Sequence, residues 1–85
     1  MKRLTDAQVR VLRVLALYDE DRPGGIMTSS ATSDDPRNPY IASGSAMALA
    51  ERGLVERADY EGPARSSWPR YRITDAGRAA LAEVG

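Results

Sequence analysis

No cysteine and no histidine occur anywhere in the 85 residues. Without cysteine there are neither disulfides nor thiolate metal ligands. Without histidine the commonest general base and the commonest metal ligand are both missing. Phenylalanine is absent as well, and tryptophan occurs once, as Trp68. The apolar 42% of the chain is largely alanine, thirteen residues against seven leucines, five valines and three isoleucines. A chain of this length has room for one core, and these residues predict a thin, closely packed one of modest stability. No apolar run approaches the ~20 residues that span a bilayer. The opening Met1-Lys2-Arg3-Leu4-Thr5-Asp6 lacks the apolar stretch of a secretory signal. The expectation is a cytoplasmic protein with no membrane partner.

The same absences bear on catalysis. There is no glycine-rich phosphate loop and no metal-ligand cluster, and a Ser/Lys dyad would have to use Lys2, the only lysine. Asp19-Glu20-Asp21 and Asp34-Asp35 lack the ordered alternation and glycine of a calcium loop, so they read as solvated loops. Neither an enzyme nor a bound metal or cofactor is expected.

Basic and acidic residues balance at twelve each, and the calculated pI is about 6.2. A nucleic-acid-binding domain is usually far more basic, with a pI above ~9. The charge is nevertheless segregated. Residues 1–18 carry Lys2, Arg3, Arg10 and Arg13 against Asp6, residues 19–35 are acidic apart from Arg22, and Gly62 to Arg72 holds Arg65, Arg70 and Arg72 with no acid. Eleven of the basic residues are arginine, which suits a GC-rich genome as well as it suits phosphate.

Along the chain, Thr5 with Gln8 has capping-box spacing, and Leu4 and Val9 stand at the staple positions. Asp6 lies in the first turn, where the helix dipole favours a carboxylate. Val9, Leu12, Leu15 and Ala16 form an apolar stripe that Val11, Val14, Leu17 and Tyr18 widen, which predicts a helix to Tyr18 buried on more than one side. Residues 19–40 read as a long loop or irregular segment, in which Asp35 to Tyr40 supplies at most a capped turn with Pro36 at the first helical position. A second helix follows from Ser43, its N-cap by this reading, to a stop at Gly53, with Leu54 as the apolar partner of the C-terminal cap. Leu54 to Tyr60 has strand character, 61–69 is a hairpin tip, and Arg70-Tyr71-Arg72-Ile73 alternates cleanly with the arginines outward. Thr74 then caps a last helix through Val84, striped by Gly77, Ala80, Leu81 and Val84, and Gly77 allows a close approach to a neighbour.

Two blocks carry a resemblance. Leu49-Ala50-Glu51-Arg52-Gly53-Leu54-Val55 resembles the end of a recognition helix and the turn into a wing. Tyr71-Arg72-Ile73-Thr74-Asp75-Ala76-Gly77-Arg78 resembles the strand leaving the wing and the cap of the next helix. With the first helix they cover roughly two-thirds of the chain and are similar to winged helix-turn-helix regulators of the MarR and PadR kind, and to small winged-helix proteins of phages. The resemblance implies an α+β fold, a winged helix-turn-helix of three or so helices with a two-stranded β-hairpin wing. Its second helix would be irregular here, because residues 28–40 do not read as a regular helix.

The resemblance also implies a DNA-binding transcription regulator. Helix 43–52 would lie in the major groove of double-stranded DNA, with Ser43, Gly44, Ser45, Met47, Ala48 and Arg52 near the bases. The 54–73 wing would hold phosphates through Arg65, Arg70 and Arg72, with Ser66, Ser67 and Trp68 at its tip. No Arg, Asn or Gln precedes Arg52 in that helix, and those side chains do most direct base readout. The bland alternatives are that Ser43 is only a cap, that the wing arginines pair with Glu56 on a solvated strand, and that Trp68 folds back over the wing. A homodimer would use Leu81 and Val84 on the last helix with Val11 or Val14 on the first. The rival class is a winged-helix protein–protein interaction module, for example a phage protein binding a host factor through its Trp-tipped wing.

Overall fold

Thr5 starts the first helix as its spacing predicts. Its hydroxyl accepts from the Gln8 amide at 3.1 Å, and the Gln8 side chain accepts from the Thr5 amide at 3.0 Å. Helix α1 runs Asp6–Tyr18. It is followed by β1 (Ile26–Ser29), β2 (Ile41–Ala42), α2 (Ser43–Glu51), β3 (Val55–Ala58), β4 (Arg70–Ile73) and α3 (Asp75–Val84). The computed structural model describes residues 3–58 and 69–84. Among these the architecture is α+β, three helices and a four-stranded mixed sheet in the order β2-β1-β4-β3. No helix among the described residues is long and apolar enough to cross a membrane.

The sheet departs from the sequence reading, which expected a two-stranded hairpin: β1 and β2 make it four-stranded. Residues 19–40, expected as a loop or irregular segment, contain β1. Ile26 and Thr28 point inward and Met27 and Ser29 outward. Ile26 pairs with Tyr71 and Met27 with Arg70 in antiparallel register, while Thr28 and Ser29 pair in parallel with Ile41 and Ala42. A polar residue at an inward position hides this alternation. Thr28 is nonetheless 1% exposed, and its hydroxyl and amide both donate to the Pro69 carbonyl, at 3.0 and 3.1 Å. A buried hydroxyl with a partner costs little, so threonine takes a core position here.

Between β1 and β2 the chain makes a short excursion. Ser33 and Tyr40 exchange two backbone hydrogen bonds, 2.8 and 3.0 Å. At the tip Asn38 N–H donates to the Asp35 carbonyl at 3.1 Å and Arg37 N–H to the Asp35 carboxylate at 2.9 Å. The predicted cap at Asp35 with Pro36 after it therefore forms a β-turn and not a helix. The Tyr18 hydroxyl donates to the Asp34 carbonyl at 2.6 Å, tying the excursion to α1. No helix lies between α1 and α2. Ser43 is also not a cap: β2 runs straight into α2, Ala42 occupies the N-cap position without a side-chain bond, and Ser43 is the first helical residue.

The core lies between α1, α2 and the inner face of the sheet. Val11, Leu12, Leu15, Ile41, Ala46 and Leu49 are almost wholly buried, with Ile26, Val55, Tyr71 and Ile73 completing it from the strands. Leu17, expected to widen the buried stripe of α1, is 64% exposed. Gly53 ends α2 with φ +75°. Its amide donates to Ala50 O and the Leu54 amide to Leu49 O, both at 3.0 Å, which is the Schellman pattern with a leucine at each apolar position.

α3 is fastened to this turn. The Thr74 hydroxyl donates to Gly53 O at 2.8 Å and accepts from the Gly77 amide at 3.0 Å, and Thr74 N–H donates to Leu54 O at 3.2 Å. Arg78 on α3 pairs with Asp19 at the C-cap of α1. A Cβ at Gly77 would stand 2.0 Å from Leu54 O. The approach predicted for Gly77 is therefore to the backbone of the α2–β3 turn. Gly77→Ala should lose about 1–3 kcal/mol through overpacking, because the ~1 kcal/mol that alanine adds in a helix is the smaller term. Urea unfolding of the two proteins checks this, and equal midpoints would show that the turn can yield.

Candidate nucleic-acid interface

α2 is a short helix in which Ala46 and Leu49 face the core. Its outward ridge is Gly44, Met47 and Glu51, with Ser43, Ser45 and Ala48 half-buried on its flanks. Met47 is 60% exposed, and Arg52, the C-cap residue, is exposed at the end of the helix. Ser43, Gly44, Ser45, Met47, Ala48 and Arg52 therefore share one element. The surface it offers is small and apolar, carrying one acid and one base at its C-terminal end. Such a face lets a helix backbone approach closely and can meet thymine methyl groups. It has little with which to distinguish base edges by hydrogen bonding.

The arginines expected on a wing stand elsewhere. On β4, Tyr71 and Ile73 are buried inward, so Arg70 and Arg72 occupy the face of the sheet turned away from the core. Arg72 is opposite Glu56 on β3. Its Nε lies 3.7 Å from Glu56 Oε1, beyond hydrogen-bond reach, and is sheltered from solvent without a hydrogen-bond partner. The acidic neighbour weighed in the bland reading is thus in place, and Arg72 is partly neutralised. The fold brings the α2 residues together on one surface and sets Arg70 and Arg72 on another. Arg65, Ser66, Ser67 and Trp68 lie outside the described residues.

The expected dimer seam also changes. Val11 and Val14 are 0% and 3% exposed and belong to the core, because α1 is packed between the sheet, α2 and α3. Leu81 is half-buried against the same core. Val84 is 43% exposed and stands with Leu17 on a groove of about 470 Å3 lined also by Asp6, Val9, Arg10, Arg13, Val14 and Asp34. Periodicity assigned Leu17 to the buried stripe. Its position at the last turn of a helix already walled by Leu15 and Tyr18 puts it on the rim instead.

A second concavity was not foreseen. It holds about 110 Å3 and is lined by Arg22, Gly25, Ile26, Met27, Asn38, Pro39, Tyr40 and Arg70. It joins the loop after α1, the edge of the excursion and the outer sheet face, which are distant in sequence. No local pattern announces it.

Comparison with family models, curated proteins and solved structures returns no match.

The Arg72–Glu56 pair is exposed enough on both sides that its worth is about 0–1 kcal/mol. Glu56→Gln should therefore move the unfolding free energy by no more than this. The difference should shrink in high salt, where exposed charges are screened. A larger, salt-insensitive loss in urea titrations would mean that Glu56 orders the hairpin.

Proposed function

We propose that the protein is a small DNA-binding regulator with a winged-helix fold, α2 entering the major groove and the β3–β4 hairpin serving as the wing. The observation that carries this reading is the connection of α2 through Gly53 directly into a hairpin whose second strand pairs with β1. The order helix, two strands, helix, hairpin, helix, with the first strand closing the hairpin's sheet, supports the winged-helix form. β2 and the turn at Asp35–Asn38 stand where a scaffold helix would precede the groove helix.

The chemistry of α2 sets the character of the binding. With Gly44 and Met47 leading and no base-reading side chain before Arg52, affinity should come mainly from phosphate contacts and fall steeply with salt. Fluorescence anisotropy of labelled duplex, random or from the gene's upstream region, at two salt concentrations tests this. Met47→Lys adds a cation to the leading ridge. It should tighten duplex binding several-fold at low salt and steepen the salt slope by up to ~0.9. A second reading, a protein-interaction module that meets a host factor through α2, is favoured by the 60% exposure of Met47. That reading predicts the opposite: no duplex binding by either folded protein, and loss of the partner in Met47→Lys.

One such module buries too little surface for strong specificity, so the DNA reading calls for two copies. A second copy of the chain is the occupant that suits the Leu17–Val84 groove. Its rim carries Asp6 and Asp34 beside Arg10 and Arg13, and a two-fold interface needs a patch that complements itself. Leu17→Glu should convert a dimer to monomer in sedimentation equilibrium while leaving the thermal midpoint nearly unchanged. A wild-type protein that sediments as a monomer, free and on DNA, would remove this seam.

A further inference from the structure

We infer that Arg57 on β3 is the hairpin residue that meets a DNA phosphate when α2 lies in the major groove. The inference rests on the DNA reading and deepens it. It moves the phosphate contact from Arg70 and Arg72, to which the sequence pointed, to a residue that the sequence pattern passes over.

The register of the hairpin carries the argument. Residues directly opposite one another in an antiparallel pair share a face of the sheet, and successive residues of a strand alternate between faces. The pairs Val55–Ile73, Glu56–Arg72, Arg57–Tyr71 and Ala58–Arg70 therefore fall into two sets. Tyr71 and Ile73 are buried in the core beneath the helices, so Val55 and Arg57 project from that same face. Arg70 and Arg72 project from the other face, with Glu56 and Ala58. The ion pair of Glu56 with Arg72 agrees with this parity. Of the three arginines on β3 and β4, Arg57 alone stands on the side of the sheet that carries α2. Sequence could not show this, because Glu56 and Arg57 are adjacent charges and only the partner strand tells which of them faces inward.

The surroundings of Arg57 suit an anion. Val55 is 3% exposed, whereas Arg57, about 7 Å further along the strand, is exposed, so the core ends between them. Gly53 turns α2 into β3, and the two elements pack together. Arg57 thus stands at the rim of the helical layer, beside the end of α2. β3 is the outer strand in the order β2-β1-β4-β3, and no further strand among the described residues covers that rim. The guanidinium is uncommitted: Glu56 is turned to Arg72 on the opposite face, and no ion pair or hydrogen bond holds the Arg57 side chain. Its five donors form a planar fork that matches phosphate oxygens. A helix in the major groove has a sugar–phosphate backbone on either side, and a contact to that backbone positions the helix without reading sequence. An α2 surface poor in base-reading side chains needs such a contact to fix its register.

The test uses the full chain and labelled random duplex, titrated by fluorescence anisotropy over a series of salt concentrations. Arg57→Gln should weaken binding several-fold at low salt, alike for all sequences, and lower the salt slope by ~0.9, the value of one phosphate contact. Arg57→Lys keeps the charge and should keep the slope, a rescue that a merely structural role would not give. Both Arg57 variants should unfold in urea at the wild-type midpoint, since the side chain is exposed and holds no partner. Arg70→Gln/Arg72→Gln should leave the slope unchanged. An unchanged slope in Arg57→Gln, or an equal loss in Arg57→Lys, overturns the inference and leaves the DNA reading standing. A slope that falls as far in Arg70→Gln/Arg72→Gln puts the phosphates on the outer face and overturns it too. A folded wild type that binds no duplex at low salt overturns the DNA reading, and this inference with it.

Discussion

The carbonyls of Gly53 and Leu54 are the point on which the architecture turns. They receive the hydroxyl and amide of Thr74, and Leu54 O is approached so closely by Gly77 that no side chain fits between them. The end of α2, the start of β3, the end of β4 and the start of α3 are thereby fixed to one another within two residues of backbone. The Thr74 hydroxyl also accepts from the Gly77 amide, which would otherwise be left unsatisfied at the start of α3. The bonds are individually modest, about 1 kcal/mol net. Their effect is geometric: the direction in which α2 leaves the core and the direction in which the hairpin projects are set by the same few atoms.

This explains what was legible in the sequence. The blocks Leu49–Val55 and Tyr71–Arg78 look unrelated on paper, yet they are the two halves of that joint, and each residue type is demanded locally. Gly53 is required by a positive φ, Thr74 by a cap, Gly77 by the carbonyl against it, and Tyr71 and Ile73 by the alternation of β4. The capping box at Thr5 was legible for the same reason. β1 and β2 were not, because what makes them strands is their partners. Two of the four β1 residues pair with β4, near the other end of the chain, and β2 is only Ile41–Ala42. Thr28 breaks the apolar alternation and is accepted only because Pro69 O lies beside it. Ser43 misled because a serine before an apolar run signals a cap, whereas β2 feeds α2 without an intervening turn.

The candidate site was legible by element and not by surface. The α2 residues fall together because a helix keeps its own residues together. Arg70 and Arg72 were correctly read as outward-facing, but outward from the sheet is away from the helical layer, so they do not extend the α2 surface. A net charge of zero conceals this arrangement. Acids and bases are sorted in three dimensions: Glu56 stands against Arg72 and Asp19 against Arg78.

The excursion between β1 and β2 has one more consequence. It leaves the sheet at Ser29 and returns at Ile41, which is paired with Thr28, the residue before Ser29. Its ends are thus held side by side by the sheet, whatever lies between them. Lengthening such a loop costs only about 0.6 kcal/mol for each doubling. The segment just ahead of α2 is therefore tolerant of added length while the helix keeps its place. In evolutionary terms, the fold holds α2 constant and leaves beside it a strip of surface on which new contacts can be tried at little risk to folding.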